Sequence, residues 1–353
     1  MKLIALKDVC KINMGQSPNS SSYNDYGDGM PFFQGNADFG ERYPITRVWC
    51  NTPTKIAQAE DILISVRAPI GALNYAKEEC CIGRGLAAIT PDRNKVSQDF
   101  IYWALKGKKA ELNDKGNGST FKAISRKILE ETMIPDINFE QQHKCAENLE
   151  KIYGIIQNRR KELLALDDLI KARFVEMFGD SASNEKGWKM NTFGDICTVR
   201  QGLQIPISKR LTEYEEDSYE YITVQYLHGG KEKEYIKSPK ESVKCTKDDI
   251  LMTRTGNTGM VVTNVEGVFH NNFFLIDFDR ERFEKDFLVE YLNLDLIQAD
   301  ITRRAGTSTI PDLNHGEFYK IKVFEPPIDL QKEFDEFKMQ VDKSKLMFQK
   351  LHQ

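Results

Sequence analysis

The sequence predicts an α+β protein in which one mixed α/β domain occurs twice and a long helix follows each copy. Two observations support this fold class. Short motifs of the first half recur in the same order about 188 residues later in the 353-residue chain, which indicates an internal repeat. Apolar residues at helical spacing follow both copies. The predicted domains are residues 1–137 and 181–327, and the predicted long helices are residues 138–180 and 328–353.

The two domains share a series of sequence anchors. The strand-like motif Asp-Ile-Leu-Ile at 61–64 matches Asp-Ile-Leu-Met at 249–252, and the turn at 83–85 is the positional counterpart of 270–272. Short β-branched stretches bounded by turn residues predict strands. After these anchors the pattern predicts a helix, at 100–113 and 287–304, and then a strand, at 128–134 and 318–324.

The segments between the anchors differ strongly. Residues 19–58 are rich in aromatic side chains, whereas the corresponding residues 207–246 are rich in charged ones. A shared frame with dissimilar inserts predicts two copies of one fold that are directed at two different targets.

The central helix has the apolar spacing of a coiled coil. Its apolar residues alternate at intervals of three and four, which favours pairing with another helix. No proline falls within residues 141–178, and Gly179 follows as a residue suited to end a helix. The predicted seam of this helix consists of Leu149, Ile152, Ile156, Leu163, Leu166 and Ile170.

The C-terminal segment repeats the seam pattern after a similar proline-containing approach, Pro326-Pro327. This helix stops at Gln353, well short of the central helix in length. The sequence leaves open whether the helix is natively short or has lost a longer tail. Its predicted seam consists of Phe334, Phe337, Val341 and Phe348.

Composition limits the classes of function. The formal net charge is −4, which argues weakly against nucleic acid as a partner because nucleic-acid-binding domains usually have a basic excess; local patches could still bind phosphate. Seven cysteines without a Cys-x-x-Cys motif fit reduced thiols in a cytoplasm. The scattered histidines predict no metal site, and no apolar run is long enough to predict a membrane span.

Taken together, these motifs resemble the specificity subunit of a type I restriction-modification enzyme. The resemblance is carried by residues 61–71 and 249–259, by Gly-Thr-Ser-Thr at 306–309, and by the two proline-led helices. Each motif alone is moderately specific, whereas their order, repeated twice, is much more so. The resemblance implies that the two domains are target-recognition domains and that the two long helices pair antiparallel and separate them.

The resemblance also implies a function for the chain and its partners. The chain would be a non-catalytic subunit whose domains each read one half of a bipartite target in double-stranded DNA. Two methyltransferase subunits would dock on the helices, and restriction subunits would join them. S-adenosylmethionine, ATP and magnesium would belong to those partners, so the chain itself would contain no catalytic residue, cofactor or metal.

Candidate DNA-reading residues follow the matched strands. Readout requires donors that reach base edges. Arg67 and Arg254 differ by one residue in register, so at least one of them is expected in a turn rather than on a strand. The alternative is a surface arginine paired with a nearby acid. Further candidates for base contacts are Arg84, Asn257, Asn271 and Asn272.

Two segments of small residues, 116–120 and 306–309, have the composition of a phosphate cradle. Neither is a P-loop, because the Gly-Lys-Ser/Thr ending is absent. A plain loop at the end of a helix is the alternative. The candidate phosphate contacts are Ser119, Thr120, Thr307 and Ser308, with the flanking cations Lys115, Lys122, Arg126, Arg303 and Arg304.

Other classes of function remain as alternatives. Pro311-Asp312 with Glu336-Phe337-Lys338 imitates the metal site of a nuclease, although that chemistry expects the second motif on a strand. Glu325-Pro326-Pro327-Ile328 faintly resembles an amino-methyltransferase loop, but it lacks the usual first and last residues. A scaffold that spaces two partner proteins without contacting DNA is the third alternative.

Overall fold

A computed structural model gives the fold of the protein. It describes residues 2–116, 122–227, 229, 232–307 and 311–350, the last three without their side chains. The chain divides into two compact units, Met1–Asn158 and Arg159–Gln353. Each unit has hydrophobic cores of its own.

The first unit contains the first predicted domain and the beginning of the central helix. Its strands are β1 Leu3–Ala5, β2 Cys10–Met14, β3 Tyr23–Asn24, β4 Met30–Phe33, β5 Trp49–Cys50, β6 Ile56–Ala57, β7 Ile62–Ser65, β8 Leu73–Tyr75, β9 Cys80–Ile82, β10 Leu86–Pro91 and β11 Met133–Pro135. Its helices are α1 Gln98–Gly107, α2 Lys109–Asp114, α3 Arg126–Glu130 and the first part of α4 Phe139–Phe178.

A four-stranded antiparallel sheet in the order β2-β10-β7-β8 forms the centre of this unit. Because side chains alternate across a strand, Ile62 and Ile64 enter one core while Leu63 enters another. A second sheet has the order β3-β5-β4-β9-β6, in which β4 and β9 are parallel. Strands β1 and β11 form a separate antiparallel pair.

The second unit has the same succession of elements. Its strands are β12 Lys189–Thr192, β13 Cys197–Gln201, β14 Ser218–Ile222, β15 Tyr235–Lys237, β16 Lys244–Cys245, β17 Ile250–Thr253, β18 Val261–Val262, β19 Gly267–Phe269, β20 Phe273–Phe278 and β21 Lys322–Glu325. Its helices are the end of α4, α5 Phe193–Ile196, α6 Val224–Leu227, α7 Lys285–Asn293, α8 Asp295–Ala305, α9 His315–Tyr319 and α10 Ile328–Lys350.

The sheet topology confirms the predicted internal repeat. The order β13-β20-β17-β18 reproduces β2-β10-β7-β8, and β12-β21 reproduces β1-β11. Strands β14 and β19 are parallel, as β4 and β9 are, and β16 pairs antiparallel with β19 as β6 does with β9. The α+β fold with two mixed domains in repeat is therefore correct.

Helix α4 is continuous over 40 residues and confirms the predicted long helix. It begins at Phe139, one residue after the predicted start at 138, where the side-chain oxygen of Asn138 accepts a hydrogen bond from the Gln141 N–H at 2.9 Å. It ends at Phe178, and Gly179 follows with φ +83°, a left-handed conformation that favours glycine at a helix end.

Within the second unit, α10 packs antiparallel on the end of α4. Lys345 bonds Asp167 at 2.7 Å, whereas Glu333, near the start of α10, bonds Arg173 at 3.1 Å. The later residue of α10 thus meets the earlier of the two α4 residues, so the helices run in opposite directions. This part of the predicted seam is confirmed: Ile170, Phe334 and Val341 are buried and Leu166 and Phe337 pack against the same core, with Leu163 half-buried.

The predicted seam residues of α4 in the first unit are not packed into a core of that unit, so their pairing with another helix stays a prediction. There Leu149 is 41% exposed and Ile152 is 53% exposed, and Ile156 is only half-buried. Gln142 and Ala146, which lie one to two turns earlier on the same side of the helix as Leu149, are buried. The reason is that the first turns of α4 pack on their own domain rather than on a partner helix. The side chain of Phe348 lies outside the described residues.

Two further predictions need correction. The predicted helix at 100–113 breaks into α1 and α2, and that at 287–304 breaks at Leu294, whose backbone is extended. The predicted strands at 128–134 and 318–324 begin as the helical turns α3 and α9. The side chains of Ser125 and Asn314 cap these turns, and such capping overrides the β-branched composition.

Candidate functional site

Three segments meet beyond the end of β7 in the first unit. The Val66 N–H donates to the Gly85 carbonyl at 2.9 Å, and the Ala68 N–H donates to the Lys122 carbonyl at 3.2 Å. We call residues 66–69, 83–85 and 122–124 the first loop edge. It contains the predicted residues Arg67, Arg84 and Lys122.

The second unit builds the same arrangement. The Arg254 N–H donates to the Asn272 carbonyl at 2.7 Å, and the Leu313 N–H donates to the Arg254 carbonyl at 2.9 Å. We call residues 254–257, 270–272 and 311–313 the second loop edge. It contains the predicted residues Arg254, Asn257, Asn271 and Asn272. The predicted correspondence between 83–85 and 270–272 is therefore confirmed.

The backbone contacts also settle the register of the two arginines. Thr255 forms an isolated bridge with Asp312, as Arg67 does with Ala123. Arg254 therefore occupies the position of the buried Val66, and Thr255 occupies the position of Arg67. The two arginines therefore differ by one residue in register because they are not equivalent residues. Both lie beyond the ends of their strands, β7 and β17.

Arg254 is held by the chain itself. Its Nε and Nη2 donate to the two carboxylate oxygens of Asp312 at 2.9 and 2.7 Å, and its Nη1 donates to Gln201 Oε1 at 3.2 Å. The hydrogen bond from Arg254 holds the pKa of the Asp312 carboxyl below its usual range. This arrangement corresponds to the alternative of an arginine paired with an acid, and a base contact by Arg254 stays a prediction.

Arg67 and Arg84 have a different environment. Both side chains are exposed, and neither has a hydrogen bond or ion pair to any residue that the structure describes. The same is true of Lys122. These three cations are therefore available to an external anion. In the second loop edge, by contrast, Arg254 is occupied by Asp312.

The three predicted asparagines of the second loop edge differ from one another. Asn272 Oδ1 accepts a hydrogen bond from the Thr255 hydroxyl at 3.1 Å. Asn271 Oδ1 is buried and has no hydrogen-bond partner among the described residues. Asn257 is exposed, with its amide nitrogen 3.5 Å from the sulfur of Met260.

The other predicted cations flank the proposed phosphate cradles and mostly form local ion pairs. Lys115 bonds Glu111 at 2.6 Å and Arg126 bonds Glu130 at 2.7 Å. Arg303 and Arg304 both bond Asp300, and Arg304 also bonds Glu317 at 3.3 Å. Thr307 is exposed. Ser119, Thr120 and Ser308 lie outside the described residues, so the cradle hypothesis stays a prediction.

The nuclease-like motif is dispersed into two unrelated ion clusters. Asp312 is occupied by Arg254. Lys338 is buried on α10, where it bonds Asp286 at 3.2 Å and Glu290 at 3.0 Å. The second motif therefore lies on a helix and stabilises the packing of α10 on α7. In the part of the chain that the structure describes, no helix is long and apolar enough to cross a membrane.

Sequence analysis missed several polar residues that line clefts beside the loop edges. Gln34 and Asn36 line a cleft with Arg67 in the first unit, and Gln225 lines a cleft with Asn272 in the second. Each follows a strand of the parallel pair, β4 or β14. A polar residue shortly after a strand was the signal that the sequence offered. The parallel pairing that forms the clefts, however, is not evident from the sequence.

Comparison with known proteins gives a consistent result. The family model described as "Type I restriction modification DNA specificity domain" matches residues 1–166 and again residues 185–352. The type I restriction enzyme MjaX specificity subunit of Methanocaldococcus jannaschii is 47% identical over 152 residues, which cover 43% of this chain and 36% of that protein. The MjaIX specificity subunit of the same organism is 26% identical over 251 residues, which cover 64% of this chain and 57% of that protein.

The chain thus spans less than two thirds of the length of either relative. Among solved structures, the S subunit of a type I restriction-modification system from M. genitalium matches 99% of this chain and 91% of its own, with a TM-score of 0.61 and 18% sequence identity. At that identity the likeness supports the fold.

Proposed function

Because the chain belongs to the family of type I restriction modification DNA specificity domains, we propose that it is the DNA sequence-specificity subunit of a type I restriction-modification complex. Each of its two domains reads one half of a bipartite target in double-stranded DNA. The chain provides recognition and no catalysis of its own.

One observation carries this proposal. The two units repeat the same strand order, but their loop edges present different side chains. A repeated frame holds two surfaces in equivalent settings, and unlike side chains on those surfaces select unlike base sequences. A single-target binder would have no need for two frames with different edges.

The proposal extends to partners that the helices would serve. Two methyltransferase subunits dock on α4 and α10, and restriction subunits join the complex. S-adenosylmethionine, ATP and magnesium bind those partners, and the complex works in the cytoplasm. Exposed apolar side chains spaced three residues apart on α4, Leu149, Ile152 and Ile155, support a docking role for this helix, since contiguous exposed apolar surface commonly marks an interface.

Replacing one domain tests whether each domain recognises its half-target independently of the other. The full chain, assembled with a methyltransferase subunit of its system, selects fragments from double-stranded DNA of randomised sequence, and sequencing gives the enriched motif. We expect a bipartite motif. Replacing residues 1–137 with the corresponding domain of a relative should change one half of it only. A wild-type complex without sequence preference, or a folded hybrid with both halves altered, would contradict the proposal.

Lengthening the helices tests their role in setting the gap between the half-targets. One heptad inserted near Leu163 and one near Val341 keeps the seam in register and adds about 10 Å of helix. At about 3.4 Å per base pair, the unread gap should grow by roughly three base pairs while both half-targets stay the same. An active complex with an unchanged gap would show that the helices do not set it.

A further inference from the structure

Each unit has a cleft at the carboxyl ends of its parallel strand pair. In the first unit the pair is β4 and β9, and the cleft has a volume of about 580 Å³. In the second unit the pair is β14 and β19, and the cleft has a volume of about 200 Å³. Two clefts at one topological position are unexpected if each is only a packing defect.

The backbone of the first cleft is firmly held. The Asp38 carboxylate accepts hydrogen bonds from the N–H groups of Gln34 and Gly35 at 2.7 and 3.3 Å. Gly85 packs so closely that a Cβ there would lie 2.2 Å from the Gln34 carbonyl oxygen. The segment that follows β4 is therefore fixed from two sides, and Asn36 lies on this fixed segment.

The second cleft is held by different side chains. The hydroxyl of Thr223 accepts a hydrogen bond from the Tyr226 N–H at 3.1 Å. Arg210, which lines the cleft, donates to Glu234 at 3.0 Å and to the Ile205 carbonyl at 2.7 Å. Gln225 lies on the segment that follows β14, between these fixed groups.

Asn36 and Gln225 follow equivalent ends of the parallel strand pairs. The Gly83 N–H donates to the last carbonyl of β4, that of Phe33, at 2.8 Å, and the His270 N–H donates to that of Ile222 at 3.0 Å. Asn36 and Gln225 each come three residues after these carbonyls. Both therefore lie at the same distance along the chain from equivalent strand ends, each at the start of a helical turn, and both are primary amides.

Both amides are available to a ligand. Neither side chain forms a hydrogen bond with any residue in the described part of the chain, although many polar neighbours in the two clefts do. A primary amide offers a donor beside an acceptor, which matches the N7 and N6 groups of adenine in the major groove. A rigid backbone under such a side chain gives the preorganisation that base discrimination needs.

We propose that Asn36 and Gln225 are specificity-determining residues, each of which reads an A·T base pair in the half-target of its own domain. This inference rests on the proposed function and adds the position in the fold at which each half is read. The loop-edge cations then serve the neighbouring phosphates and bases.

The test uses Asn36→Ala and Gln225→Ala in the full chain, assembled with a methyltransferase subunit and selected against double-stranded DNA of randomised sequence. Asn36→Ala should lower the preference for one A·T pair about tenfold in one half of the motif, and leave the other half unchanged. Gln225→Ala should do the same in the opposite half. Each variant is thus the control for the other.

Asn94→Ala provides a matched control in the first unit, since Asn94 is an exposed amide in the turn after β10, at the opposite end of that strand from Gly85. It should leave the motif intact. A selective wild type whose motif is unchanged in both cleft variants would overturn this inference while leaving the proposed function in place. A change in both halves by either variant would also overturn it.

Discussion

The two domains share a backbone and differ in the chemistry of equivalent positions. Three pairs of equivalent residues lie at or beside the loop edges. In the first domain all three side chains are apolar, whereas in the second they form a hydrogen-bonded ion network. The equivalent residues are Met14 and Gln201, Val66 and Arg254, and Ala123 and Asp312. The comparison shows that strand order and the hydrophobic cores define the fold. The side chains of the loop edge can therefore differ between the domains while the backbone arrangement stays the same.

A similar difference occurs where the long helices join their domains. Gln142 and Gln331 each accept a backbone N–H, from Ser97 at 2.7 Å and from Glu284 at 2.9 Å. Four residues later the first helix has the buried Ala146, whereas the second has Asp335. One Asp335 oxygen is buried without a hydrogen-bond partner among the described residues. Burial raises the pKa of Asp335 to about 7.

The largest expected effect concerns the two parts of α4. Phe174 is fully buried in the second unit and packs against Phe287 and Phe334 with ring centroids 5.4 and 5.3 Å away. Phe174→Ala should lower the free energy of unfolding by about 3–5 kcal/mol. Ile152→Ala, in the exposed part, should change it by less than about 0.5 kcal/mol. Urea unfolding measures both, and equal losses would show that Ile152 is also packed.

The next prediction sharpens the contrast between Ala146 and Asp335. Desolvation, Asp286 and Glu284 raise the pKa of Asp335, while Lys338 and Lys285 oppose them. Because the pKa of Asp335 is higher in the folded than in the unfolded protein, protonation of this carboxyl group favours folding. This contribution to stability is fully present below about pH 3.8 and is lost as the pH rises through about 7. The neutral variant Asp335→Asn should therefore stabilise the protein at pH 8 by about 2 kcal/mol, which is about half of the full pKa difference because the side chain is partly solvent-screened.

This advantage should disappear as the pH falls toward 4, where wild-type Asp335 is protonated. Thermal unfolding of both proteins at several pH values measures it. Asp342→Asn on the same helix is the control, since Asp342 lies nearer the surface and bonds Lys345 at 3.2 Å. A stability difference that does not depend on pH would contradict the assignment to Asp335.

A smaller effect separates the two loop edges. Arg254→Ala leaves Asp312 without its partner, and we expect a loss of about 1–2 kcal/mol from the second domain. The double variant Arg254→Val, Asp312→Ala reproduces the side chains of the first domain and should recover most of this loss. Denaturant unfolding of the three proteins tests this. If the double variant is less stable than Arg254→Ala, the two edges are not interchangeable.

The smallest expected effect compares the equivalent acids at the ends of the paired strands β11 and β21. In the second domain Arg282, Asn191 and Lys189 hold the pKa of Glu325 at about 2. This stabilisation is present above about pH 4.5 and is lost as the pH falls toward 2. Glu325→Gln should cost about 1 kcal/mol at pH 7 and nothing near pH 2.

The equivalent acid of the first domain, Asp136, bonds only the exposed Lys2, at 2.8 Å, among the described side chains. Asp136→Asn should cost less than about 0.5 kcal/mol at any pH, because exposed ion pairs contribute little. Thermal unfolding between pH 2 and pH 7 compares the two variants. Equal pH profiles would contradict the proposed difference between the domains.

The sequence by itself determined the repeat, the long helices and their ends. These features depend on local signals: the helical spacing of apolar residues, the glycine at 179 and motifs that recur in order. Local signals also misled, as in the strands predicted at 128–134 and 318–324, where single capping residues begin a helical turn. The resemblance to a family followed from the order of these local motifs and required no tertiary contact.

Only the tertiary structure decided which side chains are available for recognition. Arg254 and Asp312 are 58 residues apart, and nothing near either one in the sequence announces their pairing. The same holds for Asn36 and Gln225, whose clefts form where β4 meets β9 and β14 meets β19. The availability of a polar group depends on which distant residues occupy its hydrogen bonds, and that is fixed only when the chain folds and brings those residues together.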